Sequence, residues 1–167
     1  KIYRCLFTNC GSRNSASTID DGDGASQIEI GNCIFANNGV DVLIPSGVAP
    51  SNYELRLADR RALIYNCTFV GSNNPDGFMY DVRDSGRQTG VKSVVNCVFA
   101  NNTIAGGGSN FAIFKYVDDY NDLITLQNNL FFSNSGLDPL DYTGAGIIGV
   151  NGNVAGDPLF ADAANGD

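Results

Sequence analysis

The sequence predicts an all-β chain folded as a parallel β-helix, a solenoid of about five coils. Three observations predict it. One motif, aliphatic-x-Asn-Cys-x-Phe-x-x-Asn, recurs along the whole chain. Its copies are joined by stretches of variable length, as when loops of different size connect a constant element. No segment carries a sustained 3.6-residue apolar period with helix caps.

The copies justify themselves in order. They are IYRCLFTNC (Ile2 to Cys10), IGNCIFANN (Ile30 to Asn38), IYNCTFVGS (Ile64 to Ser72), VVNCVFANN (Val94 to Asn102) and LQNNLFFSN (Leu126 to Asn134). Their phenylalanines, Phe7, Phe35, Phe69, Phe99 and Phe131, are 28, 34, 30 and 32 residues apart. Between the copies lie further strand-like runs, Val40 to Pro45, Gly77 to Arg83 and Asn110 to Val117. Each repeat therefore reads as strand, turn, strand, loop.

Within a copy, the Cys and Phe are two residues apart and share a strand face. The aliphatic residue lies three before the Cys, an odd spacing that a straight strand would send to the opposite face. If all three are buried, the chain turns a corner at or beside Asn32, Asn66, Asn96 and Asn128. Asparagine tolerates the left-handed conformation that such a corner needs. Stacked in register, its amide groups can bond to the copies above and below. Asn38, Asn102 and Asn134 form a second ladder of this kind, with Cys10 and Ser72 as substitutes. Five layers at the interstrand spacing give a rod about 24 Å tall. The cysteines stack as Cys5, Cys33, Cys67 and Cys97, with Asn129 ending the column. They are expected to be free thiols acting as small hydrophobes, because an in-register parallel stack suits disulfide geometry poorly; the alternative is a Cys5–Cys10 disulfide. A leucine-rich repeat is the rival fold, but its units are shorter and its leucine spacing is missing here.

The 167 residues suffice for one domain over 1–167 with a real core, and 43% of them are hydrophobic. The net charge of −8 argues against a nucleic-acid partner. The chain contains no histidine, which removes Ser-His-Asp chemistry and most zinc sites from it. No run of about 18 apolar residues spans a membrane. The opening KIYRCLF shows no leader pattern, and the chain is expected to be a segment of a longer rod.

The repeats resemble right-handed parallel β-helix repeats, and similar Phe-x-x-Asn units occur in the passenger regions of polymorphic outer-membrane proteins. GNVAGDPLFADAANGD, Gly152 to Asp167, resembles a segment common near the end of bacterial extracellular β-helix proteins: Asp157, Pro158, Leu159 and Phe160 match its Asp-Pro-Leu-Phe, and Asn165, Gly166 and Asp167 its Asn-Gly-Asp. The Gly-Gly-Ala-Ile repeat of the outer-membrane group is missing, with GAGII (Gly144 to Ile148) its nearest counterpart. The resemblance implies a secreted or cell-surface protein and a right-handed solenoid, and it says little about activity.

β-Helix proteins include pectate lyases and polygalacturonases, so a polysaccharide-active domain, lyase ahead of hydrolase, is the alternative to a structural or adhesive element. Arg60, Asp81 and Arg83 are the candidate residues for an acidic glycan, set against a solvated outer strand with ordinary ion pairs. Asp20, Asp21 and Asp23, in IDDGDGAS, form a candidate calcium loop, since close carboxylates with glycines suit a hard cation; the plain reading is an acidic surface loop, and no cofactor is required. Asp118, Asp119 and Asp122 make a weaker second loop. The sequons at Asn66 and Asn101 fall inside the motif and are assigned ladder roles. Leu6, Ile34, Thr68, Val98 and Leu130, between Cys and Phe, form an outward stripe that needs a cover, either the loop Ser46 to Ala62 or a partner. The ends of such a solenoid present unpaired strands, so the expectation is either a segment of a longer rod or copies that stack end to end into a filament.

Overall fold

The computed structural model describes residues 1–10, 19–20, 27–38, 55–57, 62–72, 79–81, 92–103, 110–112, 114–115, 124–134, 137–140 and 146–160. Among these the chain is all-β, without a helix, and every strand pairing is parallel. Each motif supplies one strand to each of two sheets. The first sheet aligns Ile2–Tyr3, Ile28–Gly31, Ala62–Tyr65, Lys92–Val95 and Ile124–Gln127. The second aligns Leu6–Thr8, Ile34–Ala36, Thr68–Val70, Val98–Ala100, Leu130–Phe132 and Val154–Ala155. A third sheet pairs Ile19–Asp20, Leu55–Leu57, Met79–Asp81 and Phe114–Lys115, and a fourth pairs Asn110–Ala112 with Leu137–Leu140. The arrangement is compatible with a parallel β-solenoid. The rival leucine-rich repeat would place helices or 3₁₀ segments opposite the strands; here the connections carry further parallel strands. The expected strand within Val40 to Pro45 lies outside the described residues.

The core is a set of identical columns. Ile30, Ile64 and Val94 are fully buried in the aliphatic column, with Leu126 beside them. Phe35, Phe69 and Phe99 are fully buried in the aromatic column, and all five rings stack: centroids are 4.7, 4.7, 5.0 and 5.2 Å apart from Phe7 to Phe131, with planes within 17° of parallel. Burying each ring contributes about 1.5–3 kcal/mol, and each stacked pair roughly 0.5–1.5 kcal/mol beyond its area.

Two left-handed corners per repeat bring these columns together. At the first, φ is +54° at Asn32, +50° at Asn66, +55° at Asn96 and +53° at Asn128, with Arg4 at +54° in the first copy. At the second, Asn9, Asn37, Gly71, Asn101 and Ser133 have φ from +48° to +66°. The corner residues keep their backbone N–H in the interstrand ladder, as in Asn66 N–H to Val95 O at 3.1 Å and Asn101 N–H to Phe132 O at 2.9 Å. Their side chains do less than expected. The first-corner asparagines are exposed, and among the described residues one amide link joins them, Asn66 Nδ2 to Asn32 Oδ1 at 3.3 Å. Their main contribution is the backbone conformation. Gly71 serves where space is short as well: a Cβ there would lie 2.5 Å from Asn37 Oδ1.

The residue after the second corner carries the buried ladder. Asn102 accepts from Ser72 N–H at 3.0 Å and donates to Phe69 O at 3.0 Å, both in the preceding repeat. Asn38 does the same for Cys10 N–H (2.8 Å) and Phe7 O (3.1 Å), and Asn134 for Asn102 N–H (3.1 Å) and Phe99 O (2.9 Å). Each asparagine thus fastens the repeat before it. Ser72 is too short to do so, and its buried Oγ has no partner among the described residues.

The cysteine column follows the same rule. Cys33, Cys67 and Cys97 each bring a thiol near two carbonyls: Gly31 O, Tyr65 O or Val95 O two residues before (3.3, 3.3 and 3.4 Å), and the aliphatic carbonyl of the preceding repeat, Ile2 O (3.8 Å), Ile30 O (3.7 Å) or Ile64 O (3.9 Å). Asn129 sends Nδ2 to the equivalent Val94 O at 3.0 Å and takes Cys97 N–H on Oδ1 at 2.9 Å. The expectation that Asn129 ends this column is corrected: Asn153 continues it, accepting from Asn129 N–H at 3.0 Å and donating to Leu126 O at 2.9 Å. Gly152-Asn153-Val154-Ala155 is therefore a sixth, degenerate motif, with Ala155 in register with Phe131. The cysteines are free. They are hydrogen-bonded members of a ladder as well as small hydrophobes.

Two outcomes follow for the ladder. Asn102→Ala removes bonds to two backbone groups of the preceding repeat and is expected to cost about 2–4 kcal/mol in urea unfolding. Ser72→Asn supplies the missing amide opposite Phe35 O and is expected to raise the urea midpoint, by about 1 kcal/mol in stability.

Candidate functional site

The surfaces, rather than the core, carry the chemistry available for recognition. The outward face of the first sheet holds a compact polar and aromatic cluster at its N-terminal end. Register places Ile2 beside Ile30 and Ile30 beside Ile64, so Lys1, Glu29 and Leu63 form one outward row, and Tyr3, Gly31 and Tyr65 the next. Lys1 Nζ lies 2.8 Å from Glu29 Oε2. Gly31 leaves room for the Tyr65 ring: a Cβ at that position would meet its Cζ at 2.5 Å. Tyr65 thereby reaches across Gly31 towards Tyr3, with ring centroids 6.3 Å apart and planes tilted by 60°.

The titration of this cluster follows from its contacts. The Lys1 ammonium, hydrogen-bonded to Glu29, holds its proton more tightly than usual. Glu29, bonded by Lys1 and then by Tyr3, is held below the ordinary carboxylate value. The Tyr3 hydroxyl donates to the Glu29 carboxylate, which holds it in its protonated form well above the ordinary phenol range. The cluster offers a carboxylate, two phenols and an exposed aromatic edge on one face. Sequence reading missed it, because Tyr3, Glu29 and Tyr65 lie outside the Cys-x-Phe columns. The signal was there: a glycine at position 31 between tyrosines at the equivalent positions of the neighbouring copies.

The outward face of the second sheet is uncharged throughout. Leu6, Ile34, Thr68, Val98, Leu130 and Val154 fill one column, and Thr8, Ala36, Val70, Ala100, Phe132 and Gly156 the other. Ala36, Val70 and Ala100 are buried, with Val98, Phe132 and Phe160 packed against them. The expected cover, Ser46 to Ala62, is corrected in part. Leu55–Leu57 is a strand of the third sheet with Leu55 fully buried in the main core, because its register with Ile19 places it on the inner face. Residues 46–54 and 58–61 lie outside the described residues. Phe160 packs on the outer cluster.

The sequence-derived site residues are only partly placed. Asp20 ends the strand Ile19–Asp20 and is level with Arg56. Arg56 is level with Tyr80, and Tyr80 with Lys115, so one row of the third sheet reads Asp20, Arg56, Tyr80, Lys115. Asp81 is level with Leu57 in the adjacent row. Asp21, Asp23, Arg60, Arg83 and the acidic run Asp118 to Asp122 lie outside the described residues. Among the described residues no group of three His, Cys, Asp or Glu side chains is placed to hold a metal ion, and no helix is long and apolar enough to cross a membrane. The sequon asparagines sit at corners, Asn66 exposed and Asn101 half-buried.

Comparison with protein-family models, curated proteins and solved structures found no match to this chain.

The Lys1–Glu29 link has a defined pH dependence. A carboxylate held below its ordinary value contributes stability above that value and loses it as the pH falls through the depressed one. The difference in melting temperature between the native chain and Glu29→Gln is therefore expected to be present at neutral pH. It should shrink below the ordinary carboxylate value of 4.5 and vanish in stronger acid, as followed by thermal melts across an acid pH series.

Proposed function

We propose that the chain is a structural or adhesive element of a secreted or cell-surface protein, a right-handed β-helix of about five coils that associates end to end. One observation carries the reading: among the described residues, the inward and outward columns of the second sheet run through the stack to an edge strand on either side. Leu6 and Val154 occupy the same outward column in its first and last strands, with 64% and 51% of their surfaces exposed. Phe7, half-buried, and Ala155, exposed, occupy the two ends of the aromatic column. Strands Leu6–Thr8 and Val154–Ala155 are the two edges of the six-stranded sheet, and free edges template pairing.

In the proposed contact, Val154–Ala155 of one copy pairs in parallel with Leu6–Thr8 of the next. Val154 falls beside Leu6, and small Ala155 beside Phe7. The contact is head to tail, so repetition gives a filament unless the rotation closes. The near absence of charge along this sheet face supports the reading, since copies that each carry a net charge of −8 repel one another elsewhere.

Light scattering over a wide concentration range tests the proposal. The average mass is expected to rise with concentration, and Leu6→Lys or Val154→Lys to return it to that of one chain. A single monomeric mass at every concentration rejects end-to-end association.

A further inference from the structure

The thiol column carries an inference independent of assembly. We propose that Cys5 and Cys33 form a site for a two-coordinate thiophilic cation, with copper(I) as its ligand. Leu6 pairs with Ile34, and Ile34 N–H bonds to Cys5 O at 2.9 Å, so Cys5 and Cys33 are level on adjacent strands. Their side chains adopt the same orientation: each sulfur approaches the carbonyl two residues before it, Tyr3 O at 3.2 Å for Cys5 and Gly31 O at 3.3 Å for Cys33. Equivalent side chains in consecutive layers repeat at the interstrand spacing of about 4.8 Å, which sets the separation expected for two sulfurs in the same orientation. Metal–thiolate bonds are about 2.3 Å for a d¹⁰ ion such as zinc. A linear sulfur–metal–sulfur unit therefore spans about 4.6 Å, and the stack presents its two ligands at nearly that separation without rearranging the backbone.

The ligand set selects the cation. Two thiolates suit a soft monovalent ion, whereas zinc takes four ligands and calcium takes oxygens. Access is built in, because Cys5 is exposed and Cys33 is buried directly beside it. Cys67 and Cys97 continue the column in the same orientation, with sulfurs 3.3 and 3.4 Å from Tyr65 O and Val95 O, but both are buried. Binding breaks two S–H bonds and forms two metal–sulfur bonds. Two protons leave to solvent, the complex carries one negative charge, and no atom changes oxidation state. The competing partner for Cys5 is Cys10, five residues along and beyond the second corner, whose sulfur is turned to Thr8 O at 3.7 Å.

The test is anaerobic competition of the reduced 167-residue chain for copper(I) against bicinchoninate, with X-ray absorption of the loaded protein. The folded chain is expected to hold one ion with two sulfur neighbours. Cys5→Ser and Cys33→Ser should lose it, and Cys10→Ser should keep it. Loss in Cys10→Ser with retention in Cys33→Ser overturns the assignment, as does equal retention by the urea-unfolded chain, which would show that the fold does not build the site. Because Cys5 is exposed, its variant remains informative if Cys33→Ser fails to fold.

Discussion

Everything in this fold rests on in-register stacking at one interstrand spacing. A residue at a given motif position meets its own equivalents above and below, so a column is either compatible with itself or it disrupts every layer. Phenylalanine satisfies the demand by parallel ring stacking, and the branched aliphatics do so by simple packing. Polar backbone sets the stricter condition. At each corner the left-handed residue keeps its own N–H in the ladder, but the N–H of the next residue turns into the dry interior, where an unpaired donor costs about 1–3 kcal/mol. Something in the following repeat must take it.

Asparagine answers that requirement at the second corner, and cysteine answers it at the first. The amide offers an acceptor to the inward N–H and a donor to a carbonyl of the same preceding repeat. The thiol does a weaker version of both, in less volume. Backbone N–H groups of Cys5 and Cys67 approach the sulfurs of Cys33 and Cys97, as Cys97 N–H approaches Asn129 Oδ1. Burial raises the Cys33 thiol, which keeps its proton; the contact between the Cys67 and Cys97 sulfurs raises Cys97 and lowers Cys67, so Cys97 is the donor of that pair. The two residue types exchange along a single column because they meet one geometric demand. The link runs in one direction, each repeat being fastened by the one after it.

The outward faces obey looser rules. The first sheet gathers Lys1, Tyr3, Glu29 and Tyr65 around the space left by Gly31. The second sheet carries no charge on its outward face among the described residues, and Phe160 packs against the buried cluster there. These are two different chemistries on one stack, each fixed in spacing by the same interior.

The sequence by itself determined the parallel stack, the inward aliphatic, cysteine and phenylalanine columns, and the left-handed corners at Asn32, Asn66, Asn96 and Asn128. Those features repeat, and a repeated pattern of buried and turned positions has few physical solutions. Tertiary structure alone decided the rest. Asn153 extends the cysteine column although its motif has lost the phenylalanine, which only the pairing of Val154 with Leu130 reveals. Leu55 belongs to the core and not to a covering loop, because a neighbouring strand, Ile19–Asp20, sets its face. Tyr65 lies over Gly31, and Phe160 packs against the cluster that contains Ala36, Val70 and Ala100, through contacts between residues far apart in the chain. Local pattern fixes what each layer must present inward; what meets across layers depends on register and on loops of unequal length, which leave no periodic trace.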